Sequence, residues 1–353
     1  MSKSPSLATT NVQSKTGSKK ELGEKLIMSK GQSQVAGTEC RWCLRSNLKV
    51  VGQGAKARWF LEQSNDYELL SLVVCEHCDL MYFTPELSAA ELDNMYKDYR
   101  GDKYLTRRNK YEPWYTKKVN DAIGHSEAVL EIRRKHLEDL INSAIKDGTV
   151  TNPQSVLDVG GDEGQFIPNL PSISKKVVLE ISGVRPLNDV IPVTSWEEAA
   201  LMKPDLVMLC HVLEHTASAR DLLEQAYKVL PESGGICYVE IPLDRPNRPN
   251  RLFITDFYGH YVRWLCRFPK TLFIAADLLG LLSRRVFKSY IPGSVIKCSE
   301  HINFFNTESV ERVAIDIGFD VVAFSRYAVT SGVPRMDVDA LGVLLAKPSN
   351  LDL

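Results

Sequence analysis

The sequence contains no apolar run long enough to cross a membrane and no excess of charge of either sign. A bilayer-spanning helix needs about 20 mostly apolar residues, and no stretch of the 353-residue chain approaches that length. The N-terminus also lacks the continuous apolar segment of a secretory signal, so we expect a cytoplasmic protein. The formal net charge of −1 provides no overall field for nucleic acid, which is therefore not an expected partner.

Composition and periodicity divide the chain into segments. Residues 1–37 are rich in Ser, Lys, Gln, Thr and Gly, bury too little apolar surface to order, and are expected to form a disordered tail. Strand-like runs between turn residues, including one that begins at Arg58, predict a small β-rich module over residues 38–87. Apolar residues at helical spacing predict a helical linker over residues 88–150, opening on the cap-like SAAE at Ser88.

The rest of the chain has the pattern of an α/β domain. Short apolar runs (SVLDV, KVVLE, DLVMLC and GICYVEI) alternate with helical segments, which is typical of a parallel sheet built from βα units. We predict a core over residues 151–243, a helical insertion or lid over residues 244–298, and the C-terminal part of the core over residues 299–353.

A glycine-rich turn follows the first of these strands. SVLDVGGDEGQF places Gly160, Gly161 and Gly164 between a strand and a predicted helix, where a backbone can approach a nucleotide closely. A bare GGxxG can mark only a tight turn, but Glu180 ends the next strand about 20 residues on, where a carboxylate binds ribose hydroxyls. Asp158 at the strand end and the absent third glycine of GxGxxG favour S-adenosylmethionine (SAM), which has no pyrophosphate, over a dinucleotide.

Several segments resemble class I SAM-dependent methyltransferases. LDVGGDEG is similar to their motif I, VLEIS to motif II, PDLVMLCHVLEHTA to the fourth-strand motif, and LPESGGICYVEIP to the following loop and strand. The resemblance covers residues 153–347 apart from the insertion, and it implies a doubly wound, Rossmann-like, seven-stranded sheet. This chain carries Asp162 where that family usually has a central glycine.

The resemblance also implies a set of cofactor-binding residues. One of these residues, His211, and the nearby His215 could instead cap or fill the start of a helix. The residues placed around SAM are Asp158, Gly160, Gly161 and Gly164 in the loop, Glu180 on the ribose, Trp196 beside the adenine and His211 at the methionine end.

Two CxxC pairs lie in the N-terminal module. Cys40, Cys43, Cys75 and Cys78 offer four thiolates in the arrangement that tetrahedral zinc requires. An iron–sulfur cluster or unmetallated redox cysteines are the alternatives. The remaining cysteines are scattered, and we expect no structural disulfide.

The segment around the second pair carries a further resemblance. YELLSLVVCEHCDLMYFTPELSAAELDNMYKDY is similar to the segment that joins the second zinc knuckle to the catalytic domain in a bacterial methyltransferase family, which includes sugar C-methyltransferases of antibiotic and surface-glycan pathways. This implies a module that covers the substrate cleft. A module that docks RNA would need interleaved basic and aromatic residues, and Lys49, Lys56, Arg58 and Trp59 are too few.

The segment after the insertion is expected to face the acceptor. SEHINFFNTES resembles the acceptor-side segment of this family, which implies that His301 acts as a general base supported by Glu300 and Asn303. The alternative is that His301 only starts a packed strand. Tyr258, His260 and Tyr261 in the insertion are further candidates for the base.

The insertion is also rich in arginine. Arg245, Arg248, Arg251 and Arg263 could bind a phosphate or a nucleotide-sugar diphosphate. The basic amphipathic stretch over residues 263–285 could instead lie on a membrane surface, or it could be a solvated lid.

The sequence therefore predicts a SAM- and zinc-binding methyltransferase that acts on a small polar acceptor: a sugar, a nucleotide sugar or a glycan precursor. The alternatives are an RNA methyltransferase and a catalytically silent SAM- or zinc-binding interaction protein. A basic cleft would favour RNA, and a site without a base near the methyl group would favour the silent protein. The oligomeric state is left open.

Overall fold

The computed structural model describes residues 39–57, 69–246, 251–267, 270–287, 289–329 and 338–348. The predicted tail over residues 1–37, the strand from Arg58, Trp59 beside it, and Arg248 lie outside these residues. The elements are, in chain order, β1 (Leu48–Lys56), β2 (Leu69–Cys75), β3 (Met81–Thr84), α1 (Ala89–Tyr96), α2 (Asp102–Tyr111), α3 (Lys117–Ala122), α4 (Glu127–Lys146), β4 (Ser155–Val159), β5 (Lys175–Leu179), β6 (Val190–Val193), α5 (Trp196–Met202), β7 (Leu206–Cys210), α6 (Ala219–Val229), β8 (Ile236–Pro242), α7 (Asp256–Arg267), α8 (Lys270–Phe287), β9 (Lys297–Cys298), β10 (Asn303–Phe304), α9 (Thr307–Ile317), β11 (Asp320–Val329) and β12 (Val338–Ala346).

The main sheet has seven strands in the order β11-β12-β8-β7-β4-β5-β6. Its central strands β4, β7 and β8 are buried along their whole length, as expected for parallel strands covered on both faces. Strand β12 runs antiparallel to both of its neighbours. The predicted seven-stranded α/β sheet is confirmed.

Helices cover both faces of this sheet. Leu157 and Val159 of β4 belong to the same core as Leu223 of α6 and Val310 of α9. The intervening Val156 points to the opposite face and packs in the core that α4 closes. This alternation, with helices on either side, makes the domain doubly wound.

The strand order reverses at β4. The chain passes from β4 to β5 and β6 on one side, and then returns to place β7 on the other side of β4. Ligands of doubly wound sheets bind outside the carboxyl ends of the strands at such a switch point. The loops after β4, β5, β7 and β8 therefore define the region in which a cofactor site is expected.

A second sheet has five strands in the order β10-β3-β2-β1-β9. The N-terminal module supplies its three central strands, while one edge (β9) comes from the end of the insertion and the other (β10) from the segment that follows it. Strand β9 pairs in parallel with β1, and β10 pairs antiparallel with β3. The segment 299–302, which contains His301, therefore runs from one edge of this sheet to the other.

The small sheet lies between the insertion and the main domain. One face packs Val51 and Leu70 against Phe253 and Val262 of the insertion. Side chains of the module join the main core on the other side, where the rings of Trp42 and Phe305 meet edge to face at 5.1 Å.

The linker consists of four helices. Helix α1 begins at Ser88 with the predicted capping box, which Glu91 completes. Helices α3 and α4 are separated at Gly124, where φ is +80°. No helix among the described residues is long and apolar enough to cross a membrane.

Candidate functional site

The glycine loop lies at the carboxyl end of β4, at the switch point. Gly160 and Gly164 adopt positive φ angles of +65° and +80°, and Asp162 has a φ of +56°. Asp tolerates this left-handed conformation better than most side chains, so Asp162 fits a backbone shape that usually favours glycine. The helix predicted directly after this loop does not form: residues 162–166 make turns, because the left-handed residues Asp162 and Gly164 interrupt helical geometry.

Asp158 is a buried carboxylate beneath this loop. It has no exposed surface, and neither oxygen has a hydrogen-bond partner among the described residues. Burial raises the pKa of Asp158 to about 7, because the charged form loses its hydration. A Cβ on Gly161 would lie 2.2 Å from Asp158 Oδ2, so only glycine leaves this carboxylate room beside the loop.

Glu180 follows β5 directly and borders the same loop. Its Oε2 accepts a hydrogen bond from the Asp162 amide at 3.3 Å, and its Oε1 accepts one from the Ser182 amide at 2.8 Å. Trp196 begins α5 after β6 and packs, partly buried, against the main core. Both residues follow strands on the same side of β4.

His211 lies between two carboxylates at the end of β7. Its Nδ1 is 3.0 Å from Glu214 Oε1, and its Nε2 is 2.9 Å from Glu240 Oε1. Burial and the nearby Arg133 favour the neutral ring of His211, but the two carboxylates outweigh them and hold its pKa above the ordinary value. Burial alone would raise the pKa of Glu214, yet the contact with His211 lowers it to about 2.

The groups at this edge fit the polar parts of SAM. The orphaned Asp158 carboxylate can accept hydrogen bonds from an ammonium group and stabilise positive charge. Gly161 leaves room for this carboxylate beside the loop, Gly160 is exposed where the loop leaves β4, and Glu180 offers oxygens suited to a ribose.

His301 lies beside this edge and is paired with Asp244. Its Nδ1 is 2.7 Å from Asp244 Oδ2, which orients the ring and directs Nε2 away from Asp244. Burial favours the neutral ring, but the Asp244 carboxylate outweighs burial and raises the pKa of His301 to about 9. The side chain remains 29 % exposed, so a ligand can reach it.

His215 packs edge-on against His301, with ring centroids 4.9 Å apart. Its Nδ1 lies 3.0 Å from the Tyr96 hydroxyl and 3.1 Å from the Glu300 carbonyl oxygen, and burial lowers its pKa. The ligand atoms of Glu214, His215 and His301 lie within 4.8 Å of one another. Because each of these side chains already has a protein partner, we interpret the group as a hydrogen-bonded network.

The other proposed acceptor-side residues have structural contacts. Glu300 pairs with Arg108 at 2.9 Å and accepts a hydrogen bond from the Tyr104 hydroxyl, and its charge is one of the causes that raise the pKa of His301. Asn303 donates to the carbonyl oxygens of Leu213 and Thr216 and holds the 3₁₀ turn Leu213–His215 in place.

The insertion candidates for the base are also placed elsewhere. The Tyr258 hydroxyl donates to the Ser294 carbonyl oxygen and accepts from the Ile296 amide, both at 3.2 Å. Tyr261 donates to the Gly293 carbonyl oxygen, and His260 is exposed on α7.

The described arginines of the insertion do not converge on one ligand. Arg245 makes a two-pronged ion pair with Asp79, at 2.6 and 3.0 Å, and so ties the start of the insertion to the second CxxC turn. Arg251 and Arg263 are exposed.

Sequence reasoning missed four site residues: Arg133, Glu214, Glu240 and Asp244. Two signals were available, because Glu240 interrupts an apolar strand and Asp244 follows its carboxyl end. Arg133 offers no such signal, since it lies on a helix remote in sequence and reaches Glu240 only in the fold.

The four cysteines of the CxxC pairs converge. All four are buried, with Sγ atoms 3.6 Å apart for Cys40 and Cys78 and for Cys43 and Cys75. Tetrahedral zinc with bonds of about 2.3 Å requires sulfurs about 3.8 Å apart, so the geometry fits this ion. The two turns match, because Leu44 and Asp79, each following the second cysteine of its pair, have φ near +60°.

Comparison with known proteins gives one informative match. The profile of a family described as "Methyltransferase domain" matches residues 129–323, more than half of the chain. This range contains β4, β5, β7 and β8 and the loops that carry the site. No curated protein matches the sequence.

Solved structures show weak likenesses. They include 1,6-didemethyltoxoflavin-N1-methyltransferase from Burkholderia thailandensis (12 % identity, 80 % of this chain, 96 % of that chain, TM-score 0.38). Magnesium protoporphyrin IX methyltransferase from Synechocystis PCC 6803 is another (13 % identity, 72 % of this chain, 99 % of that chain, TM-score 0.37). Likenesses this weak carry no argument about substrates.

Proposed function

Because this chain belongs to the SAM-dependent methyltransferases, we propose that it transfers a methyl group to a small polar acceptor, most specifically a sugar, a nucleotide sugar or a glycan precursor. The observation that carries this proposal is the paired Asp244–His301 side chains beside the carboxyl edge of the sheet. An oriented, ligand-accessible imidazole of this kind is suited to removing a proton from a hydroxyl or from a carbon next to a ketone.

The residues around the glycine loop would hold SAM, which supplies an electrophilic methyl group on a sulfonium sulfur. We assign Asp158 to the positively charged end of SAM, because it is the buried carboxylate that lacks a protein partner. Gly160, Gly161 and Gly164 would give the loop the left-handed, closely packed shape that brings its backbone to the cofactor, and Glu180 would accept hydrogen bonds from the ribose. Trp196 would lie beside the adenine of SAM. His211, which is held between Glu214 and Glu240, would lie beside its methionine part.

His301 would act on the acceptor as the general base. In its neutral form, Nε2 would take the proton of the acceptor, and the electron pair left on the acceptor would bond to the methyl carbon as the bond from that carbon to the sulfonium sulfur breaks and S-adenosylhomocysteine leaves. Asp244 is a positioning residue, since it holds Nδ1–H and stabilises the imidazolium that results. The neutral His215 beside His301 can form hydrogen bonds with a polar acceptor.

The charge of this region supports a small polar acceptor over RNA. Three carboxylates act on His301, those of Asp244, Glu214 and Glu300, and Arg108 already forms an ion pair with one of them, which disfavours a phosphate backbone at this place. An RNA site would need a surface of cations here. The same oriented imidazole argues against a catalytically silent binding protein.

We also propose one structural zinc ion, held by Cys40, Cys43, Cys75 and Cys78. Its role would be to fix the small sheet, because the first CxxC pair precedes β1 and the second runs from the last residue of β2 into the turn before β3. Since β9 and β10 at the edges of this sheet flank His301, the zinc site would stabilise the acceptor side of the cleft without touching the reaction.

Incubation with labelled SAM tests the proposed function. Pools of nucleotide sugars and glycan precursors should yield a labelled product with the parent protein, and turnover should fall at least about 100-fold in His301→Ala, as typical for loss of a general base. His260→Ala, which removes an exposed histidine, is the matched control and should retain parental turnover. Labelling of RNA but of no small molecule would contradict the assigned acceptor class.

A further inference from the structure

Helices α7 and α8 of the insertion expose large apolar side chains. Helix α8 exposes Leu272, Leu279, Leu282 and Val286. Successive members of this group are seven, three and four residues apart, which places them on one helix face. The exposure is substantial: 68 % for Val286, 65 % for Phe287 at the helix end, and 81 % for Phe257 on α7. Large apolar side chains grouped on one exposed helix face are typical of a surface that binds a protein or a membrane.

The opposite faces of both helices are already packed. Tyr258, Val262 and Leu265 of α7 and Phe273 of α8 belong to the core beneath the small sheet. Asp277 of α8 is also fixed from below by Lys297, at 2.5 Å. The two helices are therefore anchored through their inner faces, and their exposed side chains form an outer surface that remains available for a partner.

Cations border this apolar surface. Arg263 and Arg267 near the end of α7 and Lys270 at the start of α8 are exposed, whereas Asp256 is the exposed acidic residue in the described parts of these two helices. The chain as a whole carries a net charge of −1, so the positive character is local to this surface.

We propose that the outer surface of α7 and α8 docks on an anionic lipid membrane. Apolar side chains of amphipathic helices insert into the boundary between head groups and acyl chains while neighbouring cations pair with lipid phosphates, and this surface offers both features. A second copy of the chain is a poorer occupant, because a symmetric contact through the same surface would bring both sets of cations together with only Asp256 from each copy to neutralise them.

The proposed docking helix is linked to the acceptor site. Arg284 on α8 donates to the carbonyl oxygen of Asp244 at 2.6 Å, and Asp244 is the partner of His301. Docking would therefore bring the membrane to a helix that contacts, through Arg284, the residue that orients the proposed base. The docking surface itself does not depend on the identity of the acceptor.

Vesicle flotation tests this proposal. The full chain should float with vesicles of phosphatidylcholine and phosphatidylglycerol in equal amounts, and much less with phosphatidylcholine alone. Leu282→Glu should weaken the partition coefficient at least about tenfold, because it replaces a leucine that would insert into the bilayer by a charged side chain, and Phe257→Ser tests the other helix. Arg263→Gln with Arg267→Gln should weaken it about 25-fold, about fivefold for each cation near the surface.

Matched controls separate the surface from general effects. Leu201→Glu changes a leucine that is 77 % exposed on α5, and Lys135→Gln with Lys146→Gln removes two cations from α4; both should float like the parent. The proposal is overturned if the parent does not float, or if the α7 and α8 variants float as well as the controls. A chain that is dimeric without lipid, becomes monomeric in Leu282→Glu and binds no vesicles would identify a second copy as the occupant.

Discussion

Replacing Asp158 by asparagine should weaken SAM binding and at the same time stabilise the free protein. The pKa of Asp158 is about 7 in this fold against an ordinary 3.8. At about 1.4 kcal/mol per tenfold change in proton affinity, ionising this buried carboxyl group costs about 4 kcal/mol. The folded free protein thus loses stability as the pH rises from about 4 through 7, because the unfolded chain releases this proton first.

Asp158→Asn removes that loss, since the amide is nearly isosteric and stays neutral. The variant should be more stable than the parent by up to about 4 kcal/mol at pH 8 and similar to it at pH 4. Thermal and urea unfolding across this pH range measure the difference. The sign is unusual for a change in a buried core, where most substitutions destabilise.

SAM binding should show the opposite effect. The positive charge of SAM favours the ionised carboxylate, so binding should release a proton, and parental affinity should rise about tenfold per pH unit up to about pH 7. Titration calorimetry in two buffers with different ionisation heats measures this proton. In Asp158→Asn the proton release should vanish and affinity at pH 8 should fall.

A matched control is Asp205→Asn at the opposite end of the same sheet. Asp205 precedes β7 and accepts from the Gln154 and Ser155 amides at 2.9 and 3.1 Å, so its replacement should reduce stability and leave SAM affinity unchanged. The reasoning fails if parental SAM affinity is the same at pH 5 and pH 8, or if Asp158→Asn is less stable than the parent at pH 8.

Three further predictions concern the other site residues. Glu180→Ala should weaken SAM binding by about 1.5–3 kcal/mol, the usual loss for hydrogen bonds to a charged group. If calorimetry finds the same SAM affinity in the folded variant and in the parent, Glu180 does not bind the ribose. Elemental analysis should find one zinc per chain, lost together with thermal stability in Cys75→Ser and retained in Cys237→Ser; full occupancy in Cys75→Ser would contradict the four-cysteine site. Because only neutral His301 can accept a proton and its pKa is about 9, kcat/KM for the acceptor should rise with pH toward 9. Asp244→Asn should move this rise to lower pH, and an unchanged profile would show that the pair does not control the titrating group.

Local sequence predicted the strands of the main sheet and the strand ends that carry the glycine loop and Glu180. The strands around SVLDV and LVMLC are continuous apolar runs that only a sheet covered on both faces can bury. Gly160, Gly161 and Glu180 lie within one strand–loop–strand unit, so their proximity follows from chain order alone. The two CxxC pairs likewise carry their geometry in a three-residue spacing.

Local sequence misjudged the segment after the glycine loop, where a helix was expected. The left-handed Asp162 and Gly164 replace that helix by turns. A left-handed aspartate depends on its surroundings, here the hydrogen bond from its amide to Glu180, and short-range propensity does not register such a contact.

The tertiary structure alone decided the acceptor side and the surface. Asp244 meets His301 across 57 residues, and Arg133 reaches Glu240 from a helix outside the sheet. The sequence determined which segments are apolar and periodic, because helices and strands are set by the spacing of neighbouring side chains. It did not determine which charged groups share a buried space or which apolar stripes stay exposed, because the packing of all the elements together sets both.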